Sequence, residues 1–202
     1  MSSPRSGQSC TPPRGRRPEV KYIEVEKKFV LPTPDALKEK LVDRGAKTGE
    51  PTNQVDAYYN APHRDFTAPE AISEWLRVRT DNDGNASVNY KLWPTGRPHA
   101  DEFESSIGDV EAVRRLFKAL GFTSLVTVNK TREAWTLDDV EIAFDHVEGA
   151  GTFVEFEYKA ETGAQTPEEA LAYLDQFIAE LDVELGEQVK RGYPHILLGR
   201  ER

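Results

Sequence analysis

The chain has 202 residues, enough for one domain with a real core. Its formal net charge of −9 makes it a poor partner for nucleic acid or an anionic membrane surface, although a local basic site could still hold an anion. One cysteine, Cys10, excludes an intrachain disulfide and a cysteine metal cluster, and no apolar run approaches a membrane span.

Residues 1–18 carry Arg, Pro, Ser and Gly without an apolar stretch, so they read as a disordered leader rather than a secretory signal. The default expectation is a cytoplasmic protein whose folded domain spans 19–202. "VKYIEVEKKFVL" reads as a first strand. "TPDALKEKLVDRGA" reads as a helix with Thr33 as N-cap, Pro34 in the first turn, Gly45 as C-cap and an apolar stripe of Leu37, Leu41 and Val42. "QVDAYYN" is a strand. "SEWLRVRT" and "ASVNYKLW" form a hairpin across "DNDGN". "DEFESSI" is a short strand, and "DVEAVRRLFKALG" a helix with Val113, Leu116, Phe117 and Leu120 on one side. "TSLVTVNKTREAWTL", "VEIAFDHV" and "GTFVEFEYK" are strands. "TPEEALAYLDQFIAELD" is a helix opened by a Thr166–Glu169 capping box. "KRGYPHILLG" closes the pattern as a short helix. About eight strands and three clear helices, with strands mostly neighbouring in sequence, argue for an α+β fold built on an antiparallel sheet rather than a doubly wound parallel one.

The strands share a pattern. Successive side chains of a strand point to opposite faces. Glu24, Glu26 and Lys28 therefore share one face, as do Arg77 with Arg79, Glu102 with Glu104, Lys130 with Arg132, Glu141 with Asp145, and Glu155 with Glu157. Lys91 lies opposite Val88, Tyr90 and Leu92. Any one such strand is an ordinary solvated surface. Together they put both signs of charge on one face of nearly every strand, while the apolar faces take cover from the helices. Eight strands can close into a barrel, and the charges would then line its lumen. Unpaired, each would cost several kcal/mol there.

Eight acids and six bases in this set leave the lining at −2. Two divalent cations would bring it to about +2, a match for a triphosphate. Carboxylate clusters suit Mg²⁺ or Mn²⁺, and Arg and Lys suit phosphate oxygens. The chain has no Gly-rich loop ending in Lys-Ser/Thr to bind phosphate by backbone amides, and its four histidines lack zinc-ligand spacing.

"EVEKK" resembles the ExExK signature of the CYTH superfamily, the triphosphate tunnel metalloenzymes. "LRVR", "YKLW", "DEFES", "VNKTRE" and "FDHVEGAGTFVEFE" resemble the family's later motifs in order, and "KRGYPHILL" resembles the closing segment of its class IV adenylyl cyclase branch. The resemblance covers residues 20 to 199. It implies a closed eight-stranded antiparallel tunnel with helices packed outside. It implies that Lys28, Arg77, Arg79, Lys91, Lys130 and Arg132 bind phosphates, and that Glu24, Glu26, Asp145, Glu155 and Glu157 bind Mg²⁺ or Mn²⁺. Glu102 and Glu104 would position bases or metal-bound water, and Lys28, Arg132, Glu102 and Glu104 are the best candidates for a catalytic part.

Phosphoryl and nucleotidyl transfer need charge neutralisation and in-line positioning more than a protein nucleophile. Attack by the ribose 3′-hydroxyl of ATP would give cyclic AMP and pyrophosphate. Attack by water on thiamine triphosphate or tripolyphosphate would give a hydrolase. A binding module without turnover is the alternative outside the enzymes, but it would tolerate loss of the carboxylates, which are all filled here. The expected partner is a small triphosphate, with no nucleic acid or membrane, and the chain could form a homodimer.

Overall fold

A computed structural model describes residues 25–69, 71–93, 100–159 and 166–200. The proposed leader and Glu24 lie outside them. The elements in order are β1 (Glu26–Val30), α1 (Asp35–Asp43), β2 (Thr52–Asn60), β3 (Glu74–Asp81), β4 (Ala86–Leu92), β5 (Asp101–Ser106), α2 (Val110–Ala119), β6 (Thr123–Leu137), β7 (Val140–Val147), β8 (Gly151–Tyr158), α3 (Pro167–Leu181) and α4 (Tyr193–Leu197). Every strand pairing is antiparallel, and the sheet order is β1-β8-β7-β6-β2-β3-β4-β5. Side chains from all eight strands line one cavity, so the sheet is curled and its charged face is concave.

The expected eight-stranded antiparallel sheet is present and curled, consistent with the tunnel fold. Among the described residues the end strands β1 and β5 are not paired with each other. The outer edge of β1 is instead occupied by the stretch after α3. Val30 N donates to Glu187 O, Gly186 N to Val30 O, and Val189 N to Lys28 O, at 2.8–3.0 Å. These bonds satisfy the donor and acceptor of Val30 and the carbonyl of Lys28 on that edge.

The convex side of β1, β6, β7 and β8 carries the main core. Ile142, Phe144, Val154 and Phe156 pack there with Leu37 and Leu41 of α1 and with Ala170, Leu174, Phe177 and Leu181 of α3. The Thr166–Glu169 capping box of α3 forms as expected. Helix α1 is stopped by Gly45, which adopts the left-handed φ of +82°. Its N-cap, however, is Pro34, with no side-chain cap, so Thr33 does not have that role. Val42 also falls outside the buried stripe, at 56% exposure. Nor does α2 cover the sheet as its amphipathic pattern suggests. It buries no residue fully, and Leu116 and Leu120 stay more than half exposed while Phe117 stacks on Phe122 and meets Tyr59 edge-on.

The second core lies on the concave face. Val128, Val147, Phe153, Tyr58 and Trp75 form an apolar floor, and the C-terminal segment with Tyr193, Ile196 and Leu197 packs onto it. Helix α4 is therefore a plug in one part of the curl, and the charged residues occupy the rest. No helix among the described residues is long and apolar enough to cross a membrane.

Leu174 is fully buried between α3 and the sheet. Leu174→Ala is expected to lower unfolding free energy by about 2–5 kcal/mol, read from the shift in the urea midpoint.

Candidate functional site

Register decides which charges meet. Directly opposed positions on neighbouring strands have side chains close enough to interact. Lys28 opposes Glu155 across β1 and β8, Arg132 opposes Asp145 across β6 and β7, Asp56 opposes Arg79 across β2 and β3, and Lys91 opposes Glu102 across β4 and β5. Each pair joins opposite signs. In contrast, Glu26, Glu157 and Glu141 form a row of three acids on β1, β8 and β7.

The channel enclosed by these rows is about 280 Å³ in volume, and eight cationic and seven acidic side chains line it. Its centre is a buried network. Arg132 Nε donates to Asp145 Oδ1 at 2.7 Å, and its Nη2 also reaches Glu155. Lys28 Nζ lies 2.9 Å from Glu155 Oε1. Lys130 Nζ lies 3.3 Å from Asp145 Oδ2, and Tyr193 Oη donates to the same oxygen at 2.7 Å. The Tyr193 ring lies under both lysines, 4.1 Å from Lys28 Nζ and 5.2 Å from Lys130 Nζ. A second network joins β2 to β3. Arg79 donates two bonds to Asp56, at 2.6 and 2.7 Å, and Arg77 Nη1 stands 3.6 Å from the same carboxylate.

Burial and neighbouring charge set the protonation states. Burial alone would raise the Asp56 carboxyl, but its hydrogen bonds from Arg79 outweigh that and hold it at about 2. Desolvation also opposes the charged form of Glu155. Lys28, Arg132 and Lys130 overcome it, and Glu155 stays ionised well below the usual carboxylate range. Burial pushes Lys130 down to about 8, assisted by the charge of Arg132. Glu157 moves the other way. Burial raises it, and Glu26 and Glu141 raise it further against the pull of Lys159. A cation at that row would relieve the crowding.

The structure brings most of the sequence-expected residues into one place. Lys28, Arg77, Arg79, Lys91, Lys130, Arg132, Glu26, Glu102, Glu104, Glu155 and Glu157 all line the channel. Asp145 lies just behind it with no exposed surface. Asp145 and Glu155, expected as metal ligands, are ion-paired with Arg132, Lys130 and Lys28, and Glu157 is ion-paired with Lys159 at 2.7 Å. Glu26, Glu141 and Glu157 keep the hard oxygen chemistry that a divalent ion takes. Among the described residues no three acidic or histidine side chains yet converge closely on one point. Glu102 accepts a hydrogen bond from Asn89, and Glu104 accepts one from Ser87 Oγ at 2.8 Å. His146 points to the outer face, beside Thr152.

Sequence reasoning missed Asp56, Asn89 and Tyr193. Asp56 and Tyr58 alternate with Val55 and Ala57 in "QVDAYYN", the same signal as on the other strands, and Asn89 shares the parity of Lys91. Tyr193 gives no comparable signal, because nothing local shows that α4 enters the concave face.

A family model, the CYTH domain, matches residues 22–193. A Methanocaldococcus jannaschii protein named "Putative adenylate cyclase" is 32% identical over 85% of this chain and 96% of its own length. A Pyrococcus horikoshii protein of solved structure is 31% identical, covers 88% of this chain and 99% of its own, and superimposes with a TM-score of 0.72. A Hippeastrum protein described as a "putative adenylyl cyclase" that reveals a dominant triphosphatase activity shares the fold at 16% identity and a TM-score of 0.61, covering 87% of this chain and 96% of its own.

The Asp56 carboxyl is depressed in the folded state, so its contribution is complete above about pH 4 and is lost as pH falls towards 2. Asp56→Asn should therefore cost on the order of 2–3 kcal/mol at pH 7. The cost should shrink at pH 3, as measured by denaturant unfolding at both values.

Proposed function

The chain belongs to the CYTH family, and from that premise we propose that it is a metal-dependent enzyme that cleaves a triphosphate in the concave channel. One observation carries this reading. Cations from β1, β3, β4 and β6 converge on a single cavity, where buried carboxylates hold several of them in fixed positions. Such cations are preorganised for phosphate oxygens and need no reorganisation when charge develops in the transition state. Arg77 adds to the case, because its Nε is buried without a hydrogen-bond partner. A phosphate oxygen would satisfy it.

The roles follow from position. Lys28, Lys130 and Arg132 grip one stretch of the phosphate chain from the floor, and Arg77, Arg79 and Lys91 grip it from the β3–β4 wall. Glu26, Glu141 and Glu157 would hold Mg²⁺ or Mn²⁺, with Glu24 completing that edge as the resemblance implies. The ion supplies positive charge to the phosphate oxygens and to the leaving group when bound. Glu102 and Glu104, on the end strand opposite β1, accept the proton of the attacking hydroxyl. In the cyclase reading the 3′-oxygen of ATP forms a bond to the α-phosphorus, the bond from that phosphorus to the bridging oxygen breaks, and pyrophosphate leaves. The name of the Methanocaldococcus relative supports this choice. In the second reading water replaces the 3′-hydroxyl, and the dominant triphosphatase activity in the description of the Hippeastrum protein supports that reading.

The test is a panel of ATP, thiamine triphosphate and tripolyphosphate, each with Mg²⁺ and Mn²⁺, with products identified by mass. Cyclic AMP from ATP supports the cyclase, and phosphate release from any of the three supports the hydrolase. Binding without any product would sink the enzyme reading. Glu157→Gln and Glu26→Ala should each lower metal-dependent turnover by about 100-fold or more while the circular dichroism spectrum and melting temperature stay near wild type. The Lys130 ammonium is charged below about pH 8, so triphosphate affinity should be full there and fall as pH rises through that value. Lys130→Arg should remove that step from the pH profile, because a guanidinium stays protonated.

A further inference from the structure

The acidic row on β1, β8 and β7 already holds one cation of the protein's own. Lys159 follows the last residue of β8 and lies two positions after Glu157, so it shares the inward parity of Glu155 and Glu157. Its Nζ reaches Glu157 Oε1 at 2.7 Å, and its side chain lines the channel together with Glu26, Glu141 and Glu157. Glu26 and Glu141 stand directly opposite Glu157 on its two sides. Resting on the metal-dependent reading, we infer that Lys159 is an exchangeable counter-ion of this row. It neutralises Glu157 until Mg²⁺ or Mn²⁺ takes its place.

Exposure separates this pair from others in the channel. The Lys28–Glu155 and Lys130–Asp145 pairs are almost wholly enclosed. Removing either lysine's charge would strand a buried carboxylate, at a cost of about 3–5 kcal/mol. The Lys159 side chain is 36% exposed and that of Glu157 16%. An ion pair on an open surface contributes only about 0–1 kcal/mol, and a departing ammonium returns to water. Of these three acids, Glu157 therefore gives up its lysine at the least cost. The exchange needs no shift of the main chain. Lys159 N donates to Asp139 O at 2.8 Å, which anchors the residue while its flexible four-carbon stem swings. A divalent ion carries two charges and draws oxygens from several carboxylates. It relieves the like-charge opposition of Glu26 and Glu141 to Glu157 more fully than one ammonium does. The lysine thus sets a threshold: the row binds a divalent ion less tightly than the same carboxylates would without it.

The experiment titrates Mn²⁺ alone into the full chain and follows the free ion by electron paramagnetic resonance. Wild type is compared with Lys159→Met, which keeps the apolar stem, and Lys159→Arg, which keeps the charge. Lys190→Met removes another lysine of the channel wall, and Glu26→Ala removes a row acid outside the Lys159 pair. Lys159→Met should bind Mn²⁺ about threefold or more tighter than wild type, the range of one open ion pair. Lys159→Arg and Lys190→Met should stay within about twofold of wild type. Glu26→Ala should weaken binding, which reports that the counted ion sits in the row. A melting temperature near that of wild type shows that each variant is folded. Unchanged or weaker binding by Lys159→Met overturns the inference. So does an equal gain in Lys159→Arg or Lys190→Met, because the effect would then not belong to the Lys159 ammonium at Glu157. Either result, with Mn²⁺ bound by wild type, leaves the proposed function standing. No binding by wild type or any variant, or binding untouched by Glu26→Ala, overturns the metal role of the row as well.

Discussion

Everything in this molecule depends on charge compensation inside a curled sheet. The concave face buries Lys28, Asp56, Lys130, Asp145 and Glu155 nearly completely. Each would cost several kcal/mol if left alone. Cross-strand register supplies the partners, because Lys28 faces Glu155, Asp56 faces Arg79 and Asp145 faces Arg132. A slip of one residue in any of these ladders would turn the charged set outward and the apolar set inward. The charges thus specify the sheet as much as the sheet positions the charges. They are weak contributors to net stability but strong constraints on which pairing is allowed.

That arrangement also gives a chain with a formal charge of −9 a concave face where eight cations and seven acids nearly balance. Acids inside the channel are largely spent on fixing cations in place. Asp145 serves Arg132, Lys130 and Tyr193 at once, and Glu155 serves Lys28 and Arg132. The remaining acids form the β1–β8–β7 row, where burial first and the neighbouring Glu26 and Glu141 next raise the Glu157 carboxyl against the pull of Lys159. The site therefore divides into a cationic centre and an acidic margin, the division that a metal-bound phosphate chain requires.

Much of this was legible in the sequence, for a simple reason. A strand with oil on one face and charge on the other writes both facts into alternate letters, so Glu26 and Lys28, Arg77 and Arg79, or Glu155 and Glu157 declare their face directly. The turn glycine Gly45 and the Thr166 capping box are equally local signals. What stayed hidden depends on contacts between distant segments. The stretch at Gly186–Val189 carries no strand pattern, yet it occupies the edge of β1 where a barrel would have closed. The apolar face of α2 looked like core but stays half exposed, because periodicity shows that a helix has two faces and not whether either finds a partner. Trp75 and Tyr58 form the floor of the concave face, under a plug whose side of the sheet no local pattern reveals.

The plug has a consequence for how the protein is made. Helix α4 follows all eight strands in the chain, and Tyr193 is the residue that ties Asp145 to Lys28 and Lys130 from below. Until the ribosome has delivered it, Val128, Val147 and Phe153 lie bare on the inner surface and the central carboxylate lacks its hydroxyl partner. A nascent chain therefore has the cations of the eight strands before it has the base on which two of them rest. The floor of the cavity is thus covered only after the strands that build it have been made.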